Sequence, residues 1–303
     1  MKRQLNGLIR LTRYKEYPFF VIFTTLLGAA AAKGTFGWKL AALLGANLLA
    51  VAFAFMINDV EDAPDDCLNP AKRKRNPVSA GDLSARNGRL AAFGVAIAAG
   101  LIYVFLGLWP LICGASCLGI AFFYSWRRVR LKSRPMADLV SHALMLAGLQ
   151  FLCAYFTFQR VPFARWVFPF VFVVGISLYG EVFNEIRDLE GDRKASITHT
   201  ASWIGRKAAY GLMLGLLLVA IGSGVYTLIV IRLIPLWVLL LWAAYAALLM
   251  IPGMLHLRRH ASPVSLQESF HKPIEIAGAF ALLLQFIGPP AATLLMTALA
   301  RGG

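Results

Sequence analysis

The chain has 303 residues, 59% of them hydrophobic and only 15% charged, with a net charge of +15 and a mean hydropathy of +0.66. A water-soluble domain carries about a quarter charged residues, so this chain lacks the side chains to cover a soluble surface. Its basic residues sit in short clusters between long apolar runs, which fits anionic lipid headgroups and excludes nucleic acid as a partner.

A helix that crosses a bilayer needs about 20 mostly apolar residues. Nine segments qualify as candidates: 17–32, 40–58, 90–108, 110–126, 139–158, 166–184, 208–231, 233–255 and 273–299. The first follows a basic N-terminus and has the outline of a signal peptide, but with eight further spans downstream it reads as an uncleaved helix. The third and fourth are separated only by Trp109-Pro110, which predicts a sharp reversal there. No stretch alternates as a membrane β-strand would. The expected fold is therefore all-α, a polytopic nine-helix transmembrane bundle, one domain over 1–303. Of the 30 Lys and Arg residues, 24 fall in the N-terminal tail and the loops after spans two, four, six and eight. That asymmetry predicts a multi-pass cell-membrane protein with a cytoplasmic N-terminus and an external C-terminus.

Ten of the 15 acidic residues form two clusters, each closing a span on the cytoplasmic side: Asp59, Glu61, Asp62, Asp65, Asp66, and Glu181, Glu185, Asp188, Glu190, Asp192. Acids at membrane level are costly and point to function. Asn58, Asp62 and Asp66 stand at i, i+4 and i+8, and Asn184, Asp188 and Asp192 repeat that spacing, so each row shares one helix face. Glu181 joins the second face. Hard oxygen ligands of this kind suit Mg²⁺, which takes one or two carboxylates and completes its shell with phosphate oxygens. Pro64 predicts a kink that displaces Asp66, while Asp59, Glu61 and Asp65 point elsewhere, toward basic loops. Arg75, Arg127, Arg187 and Lys194 flank the clusters and are candidates to neutralise a diphosphate, or simple positive-inside anchors.

These residues resemble the UbiA superfamily of intramembrane prenyltransferases. Asn58-Asp59-Val60-Glu61-Asp62-Ala63-Pro64-Asp65-Asp66 fits its NDxxDxxxD motif, and Asp188-Leu189-Glu190-Gly191-Asp192-Arg193-Lys194, closing with Gly205, is similar to its second DxxxD motif. Asn76–Gly81 and Tyr124-Ser125 are similar to the loop after the first motif and the end of the fourth helix. The resemblance covers nearly the whole chain. It implies a nine-helix bundle around a central cavity in which Asn58, Asp62, Asp66, Asp188 and Asp192 bind Mg²⁺ and a prenyl diphosphate, with Asp62 and Asp188 essential to catalysis, and that the prenyl group passes to a lipophilic acceptor. Glu181, Asn184 and Tyr124, with the flanking basic residues, would then contact substrate. Asn184 and Asn76 depart from the Tyr and Arg of the ubiquinone-pathway branch, which counts against a 4-hydroxybenzoate acceptor. Leu131-Lys132-Ser133-Arg134-Pro135 leading to Asp138 is similar to the carotenoid-elongating branch. Transfer and intramolecular cyclisation share these motifs. A cation-coupled transporter would carry its acids at the bilayer midplane instead, and the signature of CDP-alcohol phosphotransferases is absent.

The remaining polar and aromatic residues divide more simply. Phe19, Phe53, Phe55, Phe122, Tyr124 and Tyr179 offer aromatic faces to a carbocation. Asn47 is expected to hydrogen-bond a neighbouring helix, and His142 and Gln150 to share one side of span five, facing the acceptor. His256 and His260 have helical spacing without a third ligand. The four cysteines lie in or beside apolar runs and read as packing.

Overall fold

A computed structural model describes residues 2–159, 166–194, 198–257, 265 and 267–301, with the side chains of 2, 191–194, 256–257, 267–268 and 289–301 outside the description. His256, His260, Asp192 and Lys194 therefore lie outside the described side chains. The described residues are helical, with no strand among them.

A short surface helix α1 (Lys2–Leu11) precedes α2 (Pro18–Ala31), α3 (Trp38–Asp66), the short α4 (Pro70–Arg75), α5 (Ala85–Leu106) and α6 (Leu108–Ser125). Then come α7 (Ala137–Ala143) and α8 (Leu149–Phe158), fused into one span through a π-helical turn at Leu144–Gly148. The second half holds α9 (Val167–Lys194), α10 (Thr200–Ile204), α11 (Arg206–Val225), α12 (Leu236–Leu257) and α13 (Lys272–Arg301). Eight helices are long and apolar enough to cross a membrane; α2, at 14 residues, is shorter but as apolar. All nine predicted spans fall on these helices in order.

Two boundaries differ from expectation. The reversal between α5 and α6 falls at Gly107, not at Trp109-Pro110: Gly107 takes φ +124°, which only glycine adopts without strain. Pro110 lies in the first turn of α6, where its missing N–H costs nothing. Helix α3 also runs eight residues past the predicted end, through Pro64, to Asp66.

Packing pairs α3 with α5, α9 with α11, α2 with α8 and α12 with α13, while α6 touches both α3 and α8. At the centre Asn47 ties four helices together. Its Nδ2 donates to Thr25 Oγ1 (2.8 Å) and the Gln150 carbonyl (3.1 Å), and its Oδ1 accepts from the buried Tyr103 hydroxyl (2.7 Å). Polar side chains inside a membrane bundle are satisfied in this way, by neighbouring helices. Cys113, Cys117 and Cys153 are buried free thiols, as their apolar surroundings predict; Cys67 is exposed.

Helices α2 and α8 approach so closely that a Cβ on Gly28 would lie 2.5 Å from the Phe151 carbonyl oxygen and 2.9 Å from the Ala154 Cβ. Gly28→Ala is expected to destabilise the bundle by about 1–3 kcal/mol, since rigid backbone must shift to admit the methyl group. Thermal denaturation of the detergent-solubilised protein measures this, and an unchanged melting temperature would contradict the contact.

Candidate active site

The C-terminal turn of α3 carries Asp62, Asp65 and Asp66, the wrong sign of charge for the negative end of a helix dipole. Each acid is offset by a separate partner. Arg13, from the N-terminal segment, forks onto Asp59 through Nη2 (2.5 Å) and Nε (3.2 Å), and both side chains are buried, at 8% and 1% exposure. Arg89 at the start of α5 reaches Glu61 (2.9 Å). Arg127 and Arg130, from the loop after α6, each lie 2.8 Å from Asp65. Three acids predicted to bind basic loops do so, through arginines from three different segments rather than through Lys72–Arg75. Arg75 itself is exposed, and its carbonyl accepts from Arg10 at 3.2 Å.

Asp66 stays in the helix and is held by Asn76. Asn76 Nδ2 donates to Asp66 Oδ2 (2.9 Å) and to the Asp59 carbonyl (2.7 Å), clamping the last turn. The Ala63 carbonyl beside Pro64 accepts from the Cys67 N–H (3.2 Å) and the Ser79 hydroxyl (2.9 Å), which holds the helix together past the proline.

Asp62 and Asn58 share a different cation. Lys132 Nζ binds both carboxylate oxygens of Asp62 and lies 2.9 Å from Asn58 Oδ1, with Arg130 3.6 Å from Asp62. Burial pulls the Lys132 ammonium below the ordinary lysine range, against the opposing pull of Asp62. Lys132 stands in a short 3₁₀ turn, Leu131–Ser133, within a loop where Arg130 and Met136 take left-handed φ values of 48° and 68°. Such a conformation costs a residue with a Cβ about 1–2 kcal/mol. It is held by Arg130 on Asp65 and by the Met136 N–H on Thr200 Oγ1 (2.7 Å).

The dipeptide at the end of α6 joins the two acidic helices. Ser125 Oγ donates to Asn58 Oδ1 (3.2 Å), and the adjacent Tyr124 hydroxyl donates to Glu181 Oε1 (3.0 Å) on α9. The other Glu181 oxygen lies 3.1 Å from His142 Nδ1 on α7. Farther along α9, Asn184 Oδ1 is buried without a hydrogen-bond partner. Glu185 accepts from the Ala201 N–H (2.8 Å) and lies 3.2 Å from His199 Nδ1, while buried Asp138 accepts from the N–H and hydroxyl of Thr200, both at 2.5 Å. Asp188 is partly exposed and pairs with Arg187 (2.9 Å). His142 and Gln150 both face α6, beside Tyr124 and Cys117, but Gln150 is buried in the core against Cys117 and Met145.

Residues 21–272 match the UbiA prenyltransferase family. The chain belongs to that family. Two curated relatives, the lycopene elongase/hydratases of Haloarcula japonica and Haloferax volcanii, are 29% and 30% identical to it over 161 and 193 residues, 52% and 63% of this chain. Those stretches span 52% and 61% of the relatives' own lengths. A UbiA homologue of Archaeoglobus fulgidus bound to GPP and Mg²⁺ shares the fold at a TM-score of 0.66 and 18% identity, over 91% of this chain and 99% of that one. The apo UbiA homologue of Aeropyrum pernix K1 does so at 0.68 and 18%, over 88% and 98%. The fold, the membrane-spanning helices and the family agree.

The oxygen donors fit Mg²⁺. Asn58 and Asp62 already converge on one compact cation, the Lys132 ammonium, and Asn184 offers an unpartnered oxygen on the second acidic helix. Among the described residues no three His, Cys, Asp or Glu side chains converge.

The Arg13–Asp59 pair yields a direct test of the site's scaffold. Arg13→Met leaves a buried carboxylate alone and is expected to cost about 3–5 kcal/mol, whereas Arg13→Met with Asp59→Leu recovers most of that loss. Urea or thermal unfolding of the three proteins in one detergent decides; equal stabilities for the single and double variants would contradict the pairing.

Proposed function

We propose that the chain transfers the prenyl group of a prenyl diphosphate to a lipophilic acceptor within the membrane, with Mg²⁺ as cofactor and with an isoprenoid chain rather than an aromatic ring as the acceptor. The observation that carries this reading is the convergence of Asn58 Oδ1 and both Asp62 oxygens on the Lys132 ammonium, beside Arg130. A site that gathers oxygen donors around a cation, with further positive charge next to it, is complementary to a metal-bound diphosphate.

Asn58, Asp62, Asp188 and Asp192 would hold the metal, which when bound neutralises the diphosphate and makes it a better leaving group. Asp66, turned onto Asn76, supports the helix end instead. Lys132, Arg130 and Arg187 supply positive charge for the leaving group. Arg127 and Arg75 serve structure in this reading, since Arg127 is bound to Asp65 and the Glu61 carbonyl. The excess of Lys and Arg on one side favours motif ends that face the cytoplasm, so diphosphate leaves to water while the prenyl chain stays among apolar helices. The relatives' names favour an isoprenoid acceptor, and the run Leu131–Pro135, which resembles the carotenoid-elongating branch, is the loop carrying Lys132.

The test uses the full chain in liposomes with Mg²⁺, labelled DMAPP as donor and lycopene as acceptor, the former bound by a structural neighbour and the latter named for the relatives. Diphosphate release and an extractable coupled product are expected, and chelation of Mg²⁺ should stop both. Asp62→Asn and Asp188→Asn should each slow release by roughly 100-fold or more. Release that survives both substitutions would refute the site.

A further inference from the structure

An ionisable side chain within a spanning helix calls for explanation. Glu181 stands seven residues before Asp188, so it lies about 10 Å farther into the bilayer along α9. Tyr124 precedes the serine that touches Asn58, which places the cluster beneath the diphosphate end of the site, on the side of the prenyl chain. There the reacting carbons belong. Asp62 and Asp188, each nearer its helix end, do not reach that depth.

Both oxygens of Glu181 are engaged, one by the Tyr124 hydroxyl and one by His142 Nδ1. With Nδ1 turned to that carboxylate, 3.1 Å away, Nε2 is the nitrogen left to meet a reactant. Among the described residues no protein group bonds His142 Nε2, and it is not sealed in the core. A carboxylate that orients an imidazole is an arrangement that suits a general base.

We propose that His142, oriented by Glu181 and Tyr124, is the base that ends the reaction by taking a proton from the coupled carbocation. The proposal rests on the prenyl-transfer reading above. In the balanced step, the C–O bond to diphosphate breaks and its electron pair leaves on the phosphate oxygen. The π pair of an acceptor alkene then forms the new C–C bond to the prenyl C1, leaving a tertiary cation on the acceptor. His142 Nε2 takes a proton from a carbon next to that cation, and the released C–H pair becomes the new double bond. The Glu181 carboxylate holds the resulting imidazolium until its proton passes to water. An acceptor that carries its cation on an alkyl carbon needs such a base at a defined place, since the position of the base sets the position of the double bond.

A crosslinking role for Glu181 predicts something else, a loss of folded protein that scales all products together. The experiment therefore measures coupled alkene formed per diphosphate released, a ratio independent of the folded fraction, with DMAPP, lycopene and Mg²⁺ in liposomes. His142→Gln and Glu181→Gln are each expected to lower this ratio roughly tenfold or more, with tertiary alcohol and isomeric alkenes appearing in its place. An unchanged ratio with an unchanged double-bond position in His142→Gln, while the wild type couples normally, overturns this assignment alone. A wild-type chain that neither releases diphosphate nor couples overturns the transfer reading and this one with it.

Discussion

Carboxylates massed at the end of a membrane-spanning helix must each be neutralised, and the geometry of this site follows from how that is done. Desolvation makes an unpaired carboxylate there untenable, and the helix dipole adds to the cost. Asp59, Glu61 and Asp65 therefore each bind arginine, brought in from the N-terminal segment, from α5 and from the loop after α6. Those pairs anchor three separate stretches of chain to α3. Arginine suits such duty because its planar fork binds a carboxylate in a fixed geometry. Asp62 and Asn58 receive lysine instead. An ammonium is a compact charge on a flexible stem, so among the cations around α3 it is the one that a small hard ion can displace with least rearrangement.

The second half of the chain is joined to this centre by short polar links as well as by apolar packing on α2 and the fifth span. Tyr124 and Ser125 are consecutive, yet one bonds α9 and the other α3, because the end of α6 lies between the two acidic helices. The π turn in the fifth span has a matching effect. It lets α7 turn His142 toward Glu181 while α8, beyond the turn, keeps Gln150 and Phe151 in the core. A regular helix through 137–158 would carry a different phase on one side or the other. Irregular turns of this kind are common where a helix must serve both packing and chemistry.

The spans were legible because hydrocarbon imposes length and apolarity on every crossing, and those are local properties of sequence. The pairing of Asn58 with Asp62 was legible for a similar reason, since helical spacing is also local. Asp66 shares that spacing, and Asn76, ten positions on, binds one of its oxygens. The reach of Lys132 to Asp62, and of His142 to Glu181, depends on loop conformation and on helix neighbours far apart in sequence. Left-handed Arg130 and the π turn carry no strong local signal. The one clue on the page was composition: a lysine flanked by arginines after the fourth span, and a histidine in an otherwise apolar fifth one.

Depth then separates two demands that conflict chemically. On the proposed reading, ionising a prenyl diphosphate needs a metal ion, positive charge and an exit to water, and the oxygen donors and basic side chains that would serve it lie where α3 and α9 end. Carrying the resulting cation needs the opposite, an apolar surrounding that admits no nucleophile but the acceptor. Helices that run from one zone into the other place both on the same rigid elements, two turns apart along α9. A polar group in the inner zone is tolerable only if its own partners neutralise it, and Glu181 meets that condition by holding a tyrosine and a histidine at once. The bilayer thus supplies by position what a soluble enzyme must supply by closing a lid.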